Sequence, residues 1–220
     1  EQIINQAFKF HSEGNIEKSS KYYQYFINQG FNDYRVFSNY GSILRGLGKF
    51  KEAEKYFIKA IELKPDIAKL HYNLGNILRD LGRLKEAEIS QRKAIELNSN
   101  SADFHLNLAC ILNDLRESKE AELFTRKAIK LNPDLSEAHS ILGIILKDIG
   151  MLKEAELSTR KAIELNSNSA EFHLNLGCIL KSLGKLKEAE LSTRKAIELN
   201  PGYVDAYYNL FLQYEETNDL

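Results

Sequence analysis

The sequence predicts an all-α solenoid, a stack of antiparallel helix pairs. Three observations lead to this fold class: a 34-residue period, helical spacing of apolar residues inside each period, and turn residues at fixed places. The period is set by one series of leucines and two of alanines: Leu74, Leu108, Leu142, Leu176 and Leu210; Ala53, Ala87, Ala121, Ala155 and Ala189; Ala60, Ala94, Ala128, Ala162 and Ala196.

Each period predicts a helix, a tight turn and a second helix. In residues 68–101 the apolar residues form two helical blocks separated by Leu81, Gly82 and Arg83. Glycine at this turn supplies the left-handed residue that ends the first helix, although Arg116 replaces it once. The N-caps expected for the first helices are Asp66, Asn100, Asp134 and Asn168. About thirteen helices should result.

The period divides residues 1–220 into a single array. Residues 1–33 are interpreted as a degenerate first repeat and residues 204–220 as a final or capping helix. Five full repeats lie between them: 34–67, 68–101, 102–135, 136–169 and 170–203.

Composition limits the function classes. Lys and Arg number 30 against 31 Asp and Glu, so the net charge of -1 gives no general attraction to nucleic acid or anionic lipid. The sequence has no apolar run long enough to span a membrane and no phosphate-binding loop, nucleophile elbow or zinc motif. We therefore expect a cytoplasmic protein without catalytic activity or cofactor, and with no nucleic-acid or membrane partner.

The repeat resembles the tetratricopeptide repeat in its 34-residue period, its Leu-Gly pair in the first helix, its turn glycine and its proline at the exit. Tryptophan is absent, and Thr125, Thr159 and Thr193 stand where an aromatic residue is usual. The resemblance implies a right-handed superhelix in which the first helix of each pair lines a concave groove.

An asparagine recurs at one register of the first helix, broken only by Ile141. The row resembles the asparagine ladder in the tetratricopeptide domain of O-linked N-acetylglucosamine transferase, where the amides hold an extended peptide backbone. An amide suits this task because it both donates and accepts hydrogen bonds. Local bonding between neighbouring helices is the alternative. The row consists of Asn5, Asn39, Asn73, Asn107, Asn175 and Asn209.

Three cations are expected beside this row in the N-terminal half: Arg45, Lys69 and Arg79. Together with the asparagines they form the predicted peptide-binding groove. Histidines also recur every 34 residues, but equivalent positions in adjacent pairs are about 10 Å apart, too far for one zinc ion. No metal site is predicted. Each ring should instead pack between helices with one nitrogen hydrogen-bonded.

The function predicted from these features is a protein-protein interaction scaffold that binds an extended peptide or partner segment, whose identity is unknown. Two alternatives stay open. The chain could be the substrate-recruiting arm of a larger enzyme, such as a glycosyltransferase. It could also self-associate through its ends, because 18 of its 22 aromatic residues lie in residues 1–57 and 203–214.

Overall fold

The computed structural model describes the backbone of residues 2–218 and the side chains of residues 2–214. These residues form thirteen α-helices and no strand, so the predicted all-α solenoid of helix pairs is confirmed. The helices are α1 (Gln2–Ser12), α2 (Ile16–Asn28), α3 (Tyr34–Gly46), α4 (Phe50–Leu63), α5 (Ala68–Asp80), α6 (Leu84–Leu97), α7 (Ala102–Asp114), α8 (Ser118–Leu131), α9 (Ser136–Asp148), α10 (Leu152–Leu165), α11 (Ala170–Ser182), α12 (Leu186–Leu199) and α13 (Val204–Asn218).

The helices group into two compact units, Glu1–Asn107 and Leu108–Leu220, whose boundary falls inside α7. In the first unit α1 packs on α2, α3 on α4 and α5 on α6, and successive pairs meet through α2 with α3 and α4 with α5. The second unit repeats this order from α8 to α13. Within each unit these helices therefore pack against their neighbours along the chain. Within residues 2–218 no helix is long and apolar enough to cross a bilayer.

The turn inside each pair is made by a residue with positive φ. Gly48, for example, has φ 73°, and its N–H donates to the carbonyl of Arg45 while that of Lys49 donates to Leu44. These bonds satisfy carbonyls left over at the end of α3. Arg116 has φ 65° and makes the equivalent bond to Asn113, so arginine is accommodated at the turn where glycine was expected.

The expected N-caps of the first helices are wrong by one residue. Asp134 and Asn168 lie inside a turn, where their own N–H groups donate to the side-chain oxygens of Asn132 and Asn166. The capping side chain, where one exists, comes from the next residue: Ser169 accepts from the N–H of Phe172 at 3.4 Å. The prediction is also one residue too early at Asp66 and Asn100, because α5 begins at Ala68 and α7 at Ala102.

The recurring histidines fasten the loop between pairs to the helix that follows it. In each case Nε2 lies within hydrogen-bond distance of a loop carbonyl six residues earlier, so the predicted single hydrogen bond is confirmed. The four contacts are His71 to Pro65 at 2.8 Å, His105 to Ser99 at 2.9 Å, His139 to Pro133 at 2.8 Å and His173 to Ser167 at 3.0 Å.

Close packing inside a pair depends on small residues. A Cβ atom added to Gly177 would lie 2.5 Å from Oγ1 of Thr193 and 3.3 Å from the carbonyl oxygen of Ala189. Ala189 and Thr193 are themselves fully buried. The backbones of α11 and α12 therefore approach closely at this register.

Candidate functional site

A cleft of about 380 Å³ lies on the first helices of the N-terminal unit. We call it the N-terminal cleft. Leu70 forms part of its lining and is almost completely buried, whereas Arg35 and Lys69 are exposed. The lining combines aromatic, aliphatic, amide and cationic side chains: Phe8, Tyr34, Arg35, Ser38, Asn39, Ile67, Lys69 and Leu70.

Arg35 is held in place from two sides. Its guanidinium donates to both carboxylate oxygens of Asp33, at 3.1 and 2.7 Å, and lies 5.2 Å from the centre of the Phe8 ring. Asp33 also caps α3 by accepting from the N–H of Arg35 at 2.8 Å. Burial alone would raise the pKa of Asp33, but these hydrogen bonds outweigh it and lower that pKa. The cation and its carboxylate are therefore a fixed pair.

Lys69 supplies the other cation of the N-terminal cleft. Its Nζ lies 4.3 Å from the centre of the Tyr72 ring, a cation–π contact made within the first two turns of α5. No carboxylate within the described residues pairs with Lys69. Its charge is thus available to an anionic group in the cleft.

Asn39 belongs to the cleft and also to a partly buried chain of hydrogen bonds. Its Nδ2 donates to the hydroxyl of Tyr23 at 3.1 Å, and that hydroxyl lies 3.0 Å from Nδ1 of His11. Tyr23 is completely buried, and burial raises its pKa. One N–H and the oxygen of the Asn39 amide remain for a ligand.

The other asparagines of the first unit differ from one another. Asn5 is exposed, and Asn73 makes no side-chain hydrogen bond within the described residues. Asn107 donates to Asn76 at 2.6 Å and to Gln91 at 3.0 Å, so its N–H groups are used inside the protein.

In the second unit the row is bonded to the preceding first helix. Asn175 donates to the hydroxyl of Ser140 at 3.1 Å. Asn209 donates to the carbonyl of Asp205 at 2.9 Å and accepts from the thiol of Cys178 at 3.3 Å. Burial raises the pKa of that thiol. Ile141, which interrupts the row, is half-buried.

Among the predicted groove residues, the structure brings only Asn39 and Lys69 into the N-terminal cleft. Arg45 donates to Asp80 of the next pair at 2.7 Å, and Arg79 is half-buried near the end of α5. Sequence reasoning missed the apolar lining from Phe8, Tyr34 and Ile67. The concentration of aromatic residues near the N-terminus was the available signal. Among the described side chains of residues 2–214, no group of three His, Cys, Asp or Glu could hold a metal ion.

Three sequence models of the tetratricopeptide repeat match the chain, over residues 41–102, 102–135 and 170–203. Together they cover more than half of the sequence and agree with the helix pairs described above. The chain is a tetratricopeptide repeat protein. Curated protein sequences gave no significant match to it.

Solved structures similar to this tetratricopeptide repeat protein share its fold. YrrB, described as a TPR protein with an unusual peptide-binding site, is 25% identical with a TM-score of 0.63, covering 84% of this chain and 96% of YrrB. TTC0263, a thermophilic TPR protein from Thermus thermophilus, is 20% identical with a TM-score of 0.71, covering 83% of this chain and 99% of the other. The APC/C hetero-tetramer Cut9-Hcn1 contains a chain 13% identical with a TM-score of 0.83, covering 96% of this chain and 42% of that one.

Proposed function

We propose that this protein is an interaction scaffold that binds an extended peptide segment of a partner protein in the N-terminal cleft. The observation that carries the proposal is the lining of that cleft, where Asn39 and Lys69 lie beside an apolar surface. The peptide-binding site named for YrrB supports the class of ligand, since YrrB shares the fold. We expect the isolated protein to have no catalytic activity.

The chemistry of the lining favours a particular kind of peptide. Lys69 offers an unpaired positive charge, and the aromatic and aliphatic residues offer a surface for an apolar side chain. The amide of Asn39 can hydrogen-bond a peptide backbone irrespective of its sequence. A segment with a carboxylate next to an aromatic or branched aliphatic residue satisfies all three groups.

The experiment is selection of peptides from a displayed random library on the immobilised protein, followed by fluorescence anisotropy with the enriched peptide. We expect Lys69→Glu to weaken binding about ten-fold, because it reverses a charge close to the ligand. Lys55→Glu is the control, since Lys55 is exposed on α4 away from the cleft. Equal affinity for the parent and Lys69→Glu would refute the proposed site.

A second candidate function is self-association through α13. Val204, Tyr208 and Phe211 are 75%, 62% and 54% exposed, an unusual concentration of apolar surface on one helix. Sedimentation velocity over a range of protein concentrations tests it. A mass that rises with concentration in the parent and not in Phe211→Glu supports self-association, and a constant monomer mass in both excludes it.

A further inference from the structure

A pocket of about 440 Å³ lies between the second helices α8 and α10, with α9 beneath it. It belongs to the second unit and involves other residues than the N-terminal cleft. Its floor is apolar and comprises Ile129 and Leu142, of which Leu142 is buried; Leu157 also lines the pocket but is 69% exposed. Its rim carries three cations, Arg126, Lys130 and Lys161, and no carboxylate lines it among the described residues.

Lys130 is the rim cation that has no carboxylate partner within residues 2–214. Arg126 donates to Glu122 at 2.8 Å and to Glu154 at 3.4 Å, and Lys161 donates to Glu164 at 2.8 Å. His139 also lines the pocket, with Nε2 bonded to the loop carbonyl of Pro133. The unbalanced positive charge of the pocket is therefore that of Lys130.

Lys130 is also an exception among the repeats. The four other full repeats have glutamate at this register: Glu62, Glu96, Glu164 and Glu198. In three of them this glutamate pairs with the lysine three residues before it, at 2.7 to 2.8 Å. In α8 the corresponding pair is Lys127 and Lys130, and Lys127 instead lies 4.7 Å from the Phe124 ring centre. A stabilising helix pair is thus replaced by two like charges.

The next repeat provides a natural comparison. Seven of the eight residues lining the pocket have the same residue type 34 positions later, between α10 and α12. The eighth is Lys130, which corresponds to Glu164. Among the lining residues, a single position, at which the charge is reversed, therefore distinguishes the two places.

We propose that the α8–α10 pocket is a second docking site, and that its occupant is an acidic segment of a partner protein carrying a leucine-sized apolar side chain. The apolar side chain covers Leu157 and the adjoining floor, while the carboxylates face Lys130 and the other rim cations. Charge complementarity selects an acidic partner, and the apolar floor favours a peptide over a nucleic acid, whose backbone offers no such side chain.

The test uses the full chain and a fluorescent peptide of aspartate and glutamate with leucine at two positions. We expect Lys130→Glu to weaken its binding about ten-fold, because the change replaces an attraction by a repulsion close to the carboxylates. The same change should leave the melting temperature unchanged or slightly higher, since Glu at 130 can pair with Lys127 as Glu164 pairs with Lys161. Lost affinity then reflects the site and not unfolding.

Glu164→Lys gives the following repeat the same lining, and it also removes the carboxylate that pairs with Lys161 on the rim of the α8–α10 pocket. We expect it to add a second bound peptide per chain, and the double variant Lys130→Glu, Glu164→Lys to restore binding at the new place. A peptide with serine in place of leucine should bind at least about ten-fold more weakly. Equal binding by the parent and Lys130→Glu, or equally tight binding of oligothymidylate, would overturn the proposal. If Lys69→Glu loses affinity for the library-selected peptide but binds the acidic leucine-containing peptide as the parent does, the two sites are independent.

Discussion

Asn107 and Asn73 occupy the same register but have different surroundings. Asn107 donates to Asn76 and Gln91, and both acceptors are buried. Replacing Asn107 with Ala leaves two buried oxygens without this donor, so we expect the free energy of unfolding to fall by about 1–3 kcal/mol. Chemical denaturation monitored by circular dichroism measures the change.

Asn73→Ala is the matched control. The Asn73 amide makes no hydrogen bond within the described residues, so its removal should change the free energy of unfolding by less than about 0.5 kcal/mol. If the proposed peptide extends along α5, the same substitution should weaken binding. Equal destabilisation by the two substitutions would contradict the distinction between a structural and an available amide.

His11 should make the first helix pair sensitive to acid. Burial lowers its pKa from the ordinary value of 6.5, so the folded chain binds fewer protons at this site than the unfolded chain. The contribution of His11 to stability is present above pH 6.5 and declines as the pH falls through the interval down to the lowered pKa. Melting temperatures between about pH 7.5 and about pH 5.5 should therefore fall more in the parent than in His11→Gln.

The other four histidines and the carboxylates remain in both proteins of this comparison, so their titration cancels. Nuclear magnetic resonance of the His11 ring gives its pKa directly. A pKa at or above 6.5, or parallel melting curves for the parent and His11→Gln, would contradict the prediction.

Residue roles could be predicted only as far as they follow from the period. The position of the asparagine row follows from it, because equivalent residues occupy equivalent places on equivalent helices. Their partners do not. Asn107 bonds Asn76, 31 residues earlier, while Asn175 bonds Ser140, 35 residues earlier. Which neighbour presents a polar atom depends on packing between helices, and the period alone carries no information about it.

At the scale of helices, the sequence predicts turns better than caps. A positive φ restricts the residue type strongly, so Gly82 and Gly184 mark the end of a first helix reliably. Asn and Asp before a helix can either cap it or form a turn: Asp33 caps α3, whereas Asp134 and Asn168 form a turn. The charge exception at Lys130 was visible in the sequence, but its meaning required the pocket beside it.

Substitution of glycine by alanine should have opposite effects at two helical positions. At Gly177 the added methyl group meets Thr193 and the backbone of α12, so we expect a loss of about 1 kcal/mol. The cost stays small because Ala109 occupies the same register in α7. At Gly46, the last residue of α3, nothing lies within 4 Å of the added atom, so we expect a gain of about 0.4–1 kcal/mol because alanine restricts the unfolded chain. Thermal and chemical unfolding measure the stability of the two variants. A higher free energy of unfolding for Gly177→Ala would contradict the close packing of α11 against α12.

On the scale of the whole molecule, repetition determines how stability is distributed. A chain whose helices pack mainly against sequence neighbours has a stability that is approximately a sum of local and nearest-neighbour contributions. Such a chain can lose structure in one region while another remains folded. Function at separate places, the N-terminal cleft and the α8–α10 pocket, is compatible with this kind of stability, since each place depends on its own neighbouring helices.

Ala162 in α10 is fully buried, and Ala162→Leu should overpack its surroundings and destabilise the second unit by about 1–3 kcal/mol. Because packing is between neighbouring helices, we expect amide hydrogen exchange to accelerate in α9 to α12, while α1 to α4 keep the protection of the parent protein. Mass spectrometry of proteolytic fragments locates the change. Ala60→Leu, in the corresponding register of α4, should produce the reverse pattern. If either substitution accelerates exchange equally in all helices, the chain unfolds as one cooperative unit, and nearest-neighbour packing does not describe its stability.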